Sequence, residues 1–538
     1  MTYVITQNCC KDESCVAVCP VDCIRPASGA GGFTDTEMLY IDPETCIDCG
    51  ACEVECPVDA IYYEGDLPPE LERFREINAS YFERNPLVAD ARPSSEAHPA
   101  VESGSLRVAI VGAGPAACYA ASELSRVGGV EVDLFERLPT PFGLVRAGVA
   151  PDHQHTKSVV NIFDPAFTSH GLSCHLNVEV GRDITHEDLL AHHHAVIYAV
   201  GASKSRALGV PGEELPGSHA AADFVGWYNG HPAHVHHAFD LSAERAVIVG
   251  NGNVALDVAR VLLMDREELA KTDIAQHALD HLSDSTVREV VIVARRGPRE
   301  AAFSFGEFLA LAHLRDVDVI IDSEDLDPKS DDDVETVMKL EIARQFAQRA
   351  PQPGNKRISF RFLTSPAEVV GDDHVEGLRV THPNGDTEVI DTRLILRSIG
   401  YHGSPIDGVP FDAAKGVVQN ENGRVVDENG QPVPGVYVTG WIKRGPRGVI
   451  GTNRSCAEQT VAKLWEDFDA GSLSRAVANR DSLAGLLAER GAVPVDWQGW
   501  RAIDTAERKR GSEFSRPRAK FVDVTEMLSV VNRSDEVR

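Results

Sequence analysis

At 538 residues the chain is too long for one core, and its length predicts roughly three or four domains. Asp and Glu outnumber Lys and Arg by 82 to 52, a net charge of −30, which excludes a nucleic-acid binder built on a basic surface. The same acidity suits solubility, or partners with basic patches. There is no run of 18 apolar residues, so no membrane insertion is expected, and MTYVITQNCC lacks the flanks of a signal peptide. A cytoplasmic location is expected.

Nine of the twelve cysteines fall within residues 9–56, which in a reducing compartment points to metal rather than disulfides. Residues 1–66 are therefore expected to form a compact cysteine-rich unit. Residues 46–57 read CIDCGACEVECP, so Cys46, Cys49, Cys52 and Cys56 follow the C-x2-C-x2-C-x3-C-P spacing. Three thiolates at this spacing wrap one iron–sulfur cube, and the fourth turns away to the other cluster. Zinc knuckles pair C-x2-C units instead and fit poorly.

Residues 8–20 read NCCKDESCVAVCP and keep the frame through Cys9, Cys15 and Cys19, with Asp12 in place of one cysteine. Exchange of the fourth ligand gives Cys9, Cys15 and Cys56 to the first cluster, and Cys19, Cys46, Cys49 and Cys52 to the second. Three thiolates favour [3Fe-4S] at the first site. An Asp12 oxygen ligand allows [4Fe-4S] with one labile iron, because carboxylate is the harder ligand. Cys10 is out of register, and Cys23 is expected to be a buried free thiol. Over residues 1–66 the chain resembles bacterial seven- or eight-iron ferredoxins, and its 13 acidic against two basic side chains give it an acidic face.

Residues 67–104 are rich in Pro, Ser and Glu and read as a linker with a short helix near 71–81. Next comes LRVAIVG, then GAGPAA, a helical stretch and EVDLFERL, which together make a β-α-β unit. Gly112, Gly114 and Ala116 supply the phosphate-binding turn. Glu136 follows Gly114 by 22 residues, where a carboxylate binds ribose hydroxyls and repels a 2′-phosphate, as FAD requires. A second unit begins RAVIVG and turns through Gly250, Asn251, Gly252 and Asn253. Its next strand ends in Arg295 and Arg296, which favour the 2′-phosphate of NADP(H) over NAD(H). The acidic stretch 322–335 is expected to be a solvated, mobile loop with no role in the site. The histidines at 192–194 and at 231, 234, 236 and 237 read as surface or packing residues.

The motifs PFGLVRAGVAPDH, GNGNVALD, RRGPREAAF and GWIKRGPRGVIGTN resemble the adrenodoxin-reductase family of ferredoxin–NADP reductases across residues 105–520. The SRPRAK stretch fits as well, although Ser515 stands where the pattern has glycine. As a whole the chain resembles the actinobacterial fusion of a ferredoxin to such a reductase. The resemblance implies FAD contacts at Ala116, Glu136, Leu144, Val180, Trp441, Gly448, Val449 and Ile450. It implies NADP contacts at Asn251, Gly252, Asn253, Val254, Arg295, Arg296, Glu307 and Gly448, with His153 and Glu307 near the nicotinamide in catalytic or packing roles.

The expected fold is an α+β ferredoxin-like unit followed by two Rossmann-type α/β domains, the NADP domain inserted in the FAD domain. The expected boundaries are 1–66, a linker at 67–104, 105–204 for the first FAD part, 205–398 for NADP, and 399–538 for the second FAD part with a C-terminal extension. The expected activity is NADPH:ferredoxin oxidoreduction, in which FAD converts a hydride into single electrons for the iron–sulfur clusters. The acceptor is the fused unit, an external ferredoxin, or a haem system such as a P450. The alternatives are a subunit feeding a larger iron–sulfur enzyme, and an iron–sulfur unit that serves only for docking. A disulfide reductase needs paired redox cysteines, whereas Cys118, Cys174 and Cys456 stand apart.

Overall fold

The computed structural model describes residues 2–27, 36–87, 98–323 and 325–536. The N-terminal unit pairs strand Tyr3–Ile5 with Ile61–Tyr63 and Ile24–Arg25 with Tyr40–Ile41, both antiparallel. Between the strands lie two short helices, Ser14–Val18 and Ala51–Val54. The two halves share one backbone path. Lys11 and Asp48, Glu13 and Gly50, and Asp22 and Asp59 all have positive φ, each pair separated by the 37 residues that also separate Cys9 from Cys46. Loops that fold back around a central object need such left-handed turns.

The expected linker is not a free connector where it is described. Helix Arg73–Arg84 buries Phe74, Ile77, Asn78, Tyr81 and Phe82, one stripe at helical spacing. Asn78 Oδ1 accepts from the Ile41 N–H at 2.9 Å, and its Nδ2 donates to the Ile5 carbonyl at 2.8 Å. The helix thus closes the cysteine-rich unit. It also presents Phe74 to Phe305 of the reductase part, ring centroids 6.1 Å apart. Periodicity in 71–81 was readable, but the partner that buries the stripe is remote in sequence. Residues 88–97 of that stretch lie outside the described residues.

Two large sheets follow. The first has seven strands, in the order 420–421, 424–426, 432–438, 195–198, 106–111, 130–136 and 172–176. Its central strands run parallel and are buried, as helices on both faces require. The second has six parallel strands, in the order 218–220, 394–397, 245–249, 289–293, 356–361 and 317–322. The chain leaves the first sheet after Ala195–Tyr198, builds the second, and returns to the first at Asn420–Glu421. The outgoing and returning segments pair with each other, Lys204–Ser205 against Tyr401–His402. This is the nested arrangement of two Rossmann-type units that the sequence predicts. Among the described residues no helix is long and apolar enough to cross a membrane.

The acidic stretch 322–335 departs from expectation. Asp332 pairs with Arg299, Asp333 caps helix Val334–Gln348, and Glu335 is buried. Glu335 Oε1 accepts from the Glu37 N–H and from Tyr40 Oη, both at 2.8 Å, so this end of the stretch anchors the cysteine-rich unit. Residue 324 lies outside the described residues. Near the C-terminus Ser515 has φ 56, a left-handed turn that favours glycine. The following Arg518 and Lys520 are fixed by ion pairs, to Asp504 at 2.8 Å and to Asp273 at 3.0 Å.

Candidate electron-transfer site

The two dinucleotide turns have nearly the same shape. Gly112 and Gly250 have φ 101 and 113, and a Cβ on Gly112 would meet the Ala199 carbonyl at 2.6 Å, while one on Gly250 would meet that of Ser398. Both glycines therefore let a strand end press against its neighbour. Gly114 and Gly252 precede helices Pro115–Ser125 and Asn253–Leu263, and a Cβ on either would meet nothing within 4 Å. That open space lies at a helix N-terminus, where backbone N–H groups bind phosphate.

Around the first turn, three segments distant in sequence converge. Phe142 N–H donates to the Ala113 carbonyl at 2.7 Å, and a Cβ on Gly440 would meet Ala116 at 2.6 Å. Leu144 is half exposed beside this junction, Trp441 stacks 6.1 Å from Tyr401, and Val180 bridges to Ile184. Gly448, with φ 84, Val449 and Ile450 lead into helix Thr452–Asp469, which packs along helix Pro115–Ser125. Glu136 accepts from the N–H groups of Ala113 at 2.9 Å and Leu138 at 3.0 Å. Burial pushes its carboxyl up against the pull of those N–H groups. These features fit FAD.

At the second turn, the Asn251 side-chain amide is buried without a hydrogen-bond partner, as suits a residue that waits for a ligand. Asn253 Oδ1 accepts from the Ser304 N–H at 2.7 Å, and Val254 is partly buried beside it. Arg295 and Arg296 are exposed, and among the described residues neither makes an ion pair. Two free guanidiniums at the end of the second strand fit the 2′-phosphate of NADP(H).

A polar knot joins the two Rossmann units. The buried Arg260 donates to Asp152 at 3.1 Å, to Asp257 at 3.0 Å and to Glu307 at 3.1 Å. It also lies 2.8 Å from His153 Nε2, while His153 and Glu307 are 3.7 Å apart. Burial pushes the Asp257 carboxyl up to about 6, although Arg260 pulls it down. His153 and Glu307 are thus brought together, through an arginine that sequence reading missed. The signal was present in GNGNVALDVAR, where Asp257 and Arg260 share one helix face.

In the N-terminal unit, Cys19, Cys46, Cys49 and Cys52 line one pocket together with Tyr3, Ile24 and Ile41. Cys23 lines it too, 3.5 Å from Cys19 Sγ, and its N–H donates to that sulfur at 3.4 Å. It is buried, as expected, but it borders a cluster site. Cys9, Asp12, Cys15 and Cys56 are near enough for their charges to interact. Burial pushes the Cys9 thiol up to about 12, and the Asp12 carboxyl, which accepts from Ser14 Oγ, is also raised by burial. N–H groups of Leu39 and Ala60 donate to Cys9 and Cys56 sulfurs at 3.5 and 3.3 Å, a means of tuning potential. Four thiols suit an iron–sulfur cube at the pocket, and three thiols with a carboxylate suit a second cluster.

The first histidine stretch packs inside the protein, and the second gathers His234 and His237 with Asp223. His175 and His193 hold Asp133 at 2.8 and 3.2 Å. His234 gains an acidic neighbour, Asp223, at 3.4 Å, which no sequence spacing indicated.

Two dinucleotide turns, an interdomain knot and a thiol-lined unit define a flavin- and pyridine-nucleotide-dependent oxidoreductase with an attached iron–sulfur module. Residues 106–301 match the pyridine nucleotide-disulphide oxidoreductase family and residues 39–62 the 4Fe-4S binding domain. The chain is 46% identical to a probable ferredoxin/ferredoxin–NADP reductase of Mycobacterium leprae, covering 100% of this chain and 99% of that protein. It is 44% identical to NADPH-ferredoxin reductase FprA of Mycobacterium tuberculosis, over 79% of this chain and 98% of that one. The solved structure of Mycobacterium tuberculosis FprA with NADPH superposes with TM-score 0.75 at 42% identity, covering 79% of this chain and 99% of that one. The chain belongs to the ferredoxin/ferredoxin–NADP reductase family.

Proposed function

We propose that the protein is a ferredoxin–NADP(+) reductase that passes electrons from NADPH through FAD to its own iron–sulfur unit and on to an external one-electron acceptor. The contact of the cysteine-rich unit with the flavin-side segment carries this reading. Gly451 N–H donates to the Cys10 carbonyl at 2.8 Å. With FAD and the clusters bound, the chemistry supplied would be acceptance of a hydride from NADPH and release of its two electrons one at a time. The protein's task is alignment and exclusion of water.

In this reading residues 105–204 and 399–538 hold FAD, and 205–398 hold NADP(H). Gly112, Gly114 and Ala116 receive the flavin pyrophosphate and Glu136 its ribose. Leu144, Val180, Trp441 and residues 448–450 enclose the rest. Asn251, Gly252, Asn253 and Val254 take the NADP pyrophosphate, and Arg295 and Arg296 take the 2′-phosphate. Arg260 orients His153 and Glu307 where the two units meet, beside the nicotinamide. Asp12 supplies the open corner of a three-thiolate site, so that site interchanges between three- and four-iron forms, while the four-cysteine site holds [4Fe-4S].

Anaerobic titration with NADPH, followed by optical and EPR spectra, tests the reading. The flavin band is expected to bleach and cluster signals to change in turn. A flavin that stays oxidised with NADPH overturns the proposal. Bleaching without any cluster response means that the iron–sulfur unit only docks.

A further inference from the structure

The two cluster sites stand in different surroundings. Cys9, Cys10, Cys56 and Val58 pack in the same apolar cluster as Ala113, Ala116, Tyr119 and Ile450 of the flavin side. The loop that carries Asp12 is held there by main-chain bonds. Besides the Gly451 contact to Cys10, Arg454 Nη1 donates to the Asp12 carbonyl at 2.6 Å. A Cβ on Gly451 would run into the Lys11 carbonyl, so the two backbones meet without space for a side chain. Ser158 Oγ donates to the Pro57 carbonyl at 2.7 Å, securing the turn after Cys56. The short segment 448–454 therefore faces the flavin at its start and the Asp12 loop at its end.

The four-cysteine site looks the other way. Cys49 is exposed, and the side chains around it, Ile47 and Val54, are 57% and 84% exposed. Asp48, Glu53 and Glu55 surround them on the same short stretch. Between the sites, Cys15 and Cys52 are buried and close enough for their charges to interact. Each is a ligand candidate of a different cluster, so the two sites adjoin through protein interior.

Building on the function proposed above, we propose that the sites work in a fixed order. The Asp12 site receives electrons from the flavin side, with Arg454 and Gly451 as its positioning residues, and the four-cysteine site releases them to an external carrier. The stoichiometry closes. One hydride brings two electrons and one proton, the proton goes to solvent, and the two electrons leave singly, reducing two one-electron acceptors. An acceptor with basic groups around an apolar centre complements the surface at Ile47 and Val54.

Rapid mixing of the full-length, cofactor-loaded protein with NADPH under anaerobic conditions, with freeze-quench EPR, tests the order. In Cys49→Ala the Asp12-site signal is expected to change at the wild-type rate, while reduction of an external one-electron acceptor is lost. If the flavin bleaches in this variant but the Asp12-site signal stays fixed, the order is reversed and the proposal fails. In Arg454→Ala, bleaching by NADPH serves as the internal reference. Electron arrival at the Asp12 site is expected to slow roughly tenfold, as loss of one charge-assisted hydrogen bond would cause, with partial recovery in Arg454→Lys. Unchanged arrival in both variants overturns the positioning role. Flavin content, with dithionite reduction of the Asp12 site in Cys49→Ala and of both clusters in the Arg454 variants, establishes that each variant is folded. Failure of the wild-type flavin to bleach sinks the proposed function instead, so the two failures are distinct.

Discussion

The loops at 9–19 and 46–56 follow one backbone path, with left-handed residues at matching positions, yet they face different neighbours. The first presses its Cys10 and Asp12 carbonyls onto Gly451 and Arg454. The second leaves Cys49 exposed beside Ile47 and Val54. Local repetition therefore sets the shape of each loop, and packing sets which surface it meets. The dinucleotide turns teach the same lesson. They share their glycine geometry, but one strand end supplies Glu136 and the other Arg295 and Arg296.

These pairs can be broken apart experimentally. The largest effect is expected from Asp12→Cys, which makes the first loop match the second. The first site should then hold a stable four-iron cluster, seen as loss of the three-iron EPR signal and a higher iron content. An unchanged spectrum would mean that residue 12 does not face the open corner. Next comes the pair of turns. Replacing both Arg295 and Arg296 with Ala should lower kcat/KM for NADPH roughly a hundredfold, about 3 kcal/mol, while hardly affecting NADH. Equal losses with the two nucleotides would remove the 2′-phosphate role.

The smallest effects test the left-handed turns. Gly50 has φ 74, and a Cβ there would lie 3.0 Å from Tyr3 Oη. Gly50→Ala should therefore cost about 1–2 kcal/mol in denaturant unfolding of the loaded protein. Glu13 holds φ 63 at the equivalent place. Glu13→Gly should shift stability by less than about 1 kcal/mol. A larger loss there than at Gly50 would show that the Glu13 side chain, not the backbone shape, sets the first loop.

Much of this was readable because it is local. A glycine-rich turn between strand and helix, and thiols at fixed spacing, depend on residues a few positions apart, so Gly112, Gly252 and Cys46 declare themselves. The stripe in Arg73–Arg84 showed its period but not its partner. Glu335 looked like one more charge in an acidic loop, because its bonds to Glu37 and Tyr40 join residues nearly 300 positions apart. Arg260 was overlooked for the same reason, since three of its partners come from the separate segments that hold Asp152, His153 and Glu307.

By itself, the sequence determined two nested dinucleotide units, an iron–sulfur module with Asp12 in place of one cysteine, and turns whose following strands end in Glu136 in one unit and in Arg295 and Arg296 in the other. These follow from short-range backbone geometry and from the chemistry of single side chains. Only the tertiary structure decided that the Asp12 loop meets the flavin-side segment, that Cys49 faces outward, and that residues 73–84 close the module rather than tether it. Those outcomes depend on which distant surfaces exclude water together, and no spacing along the chain encodes that.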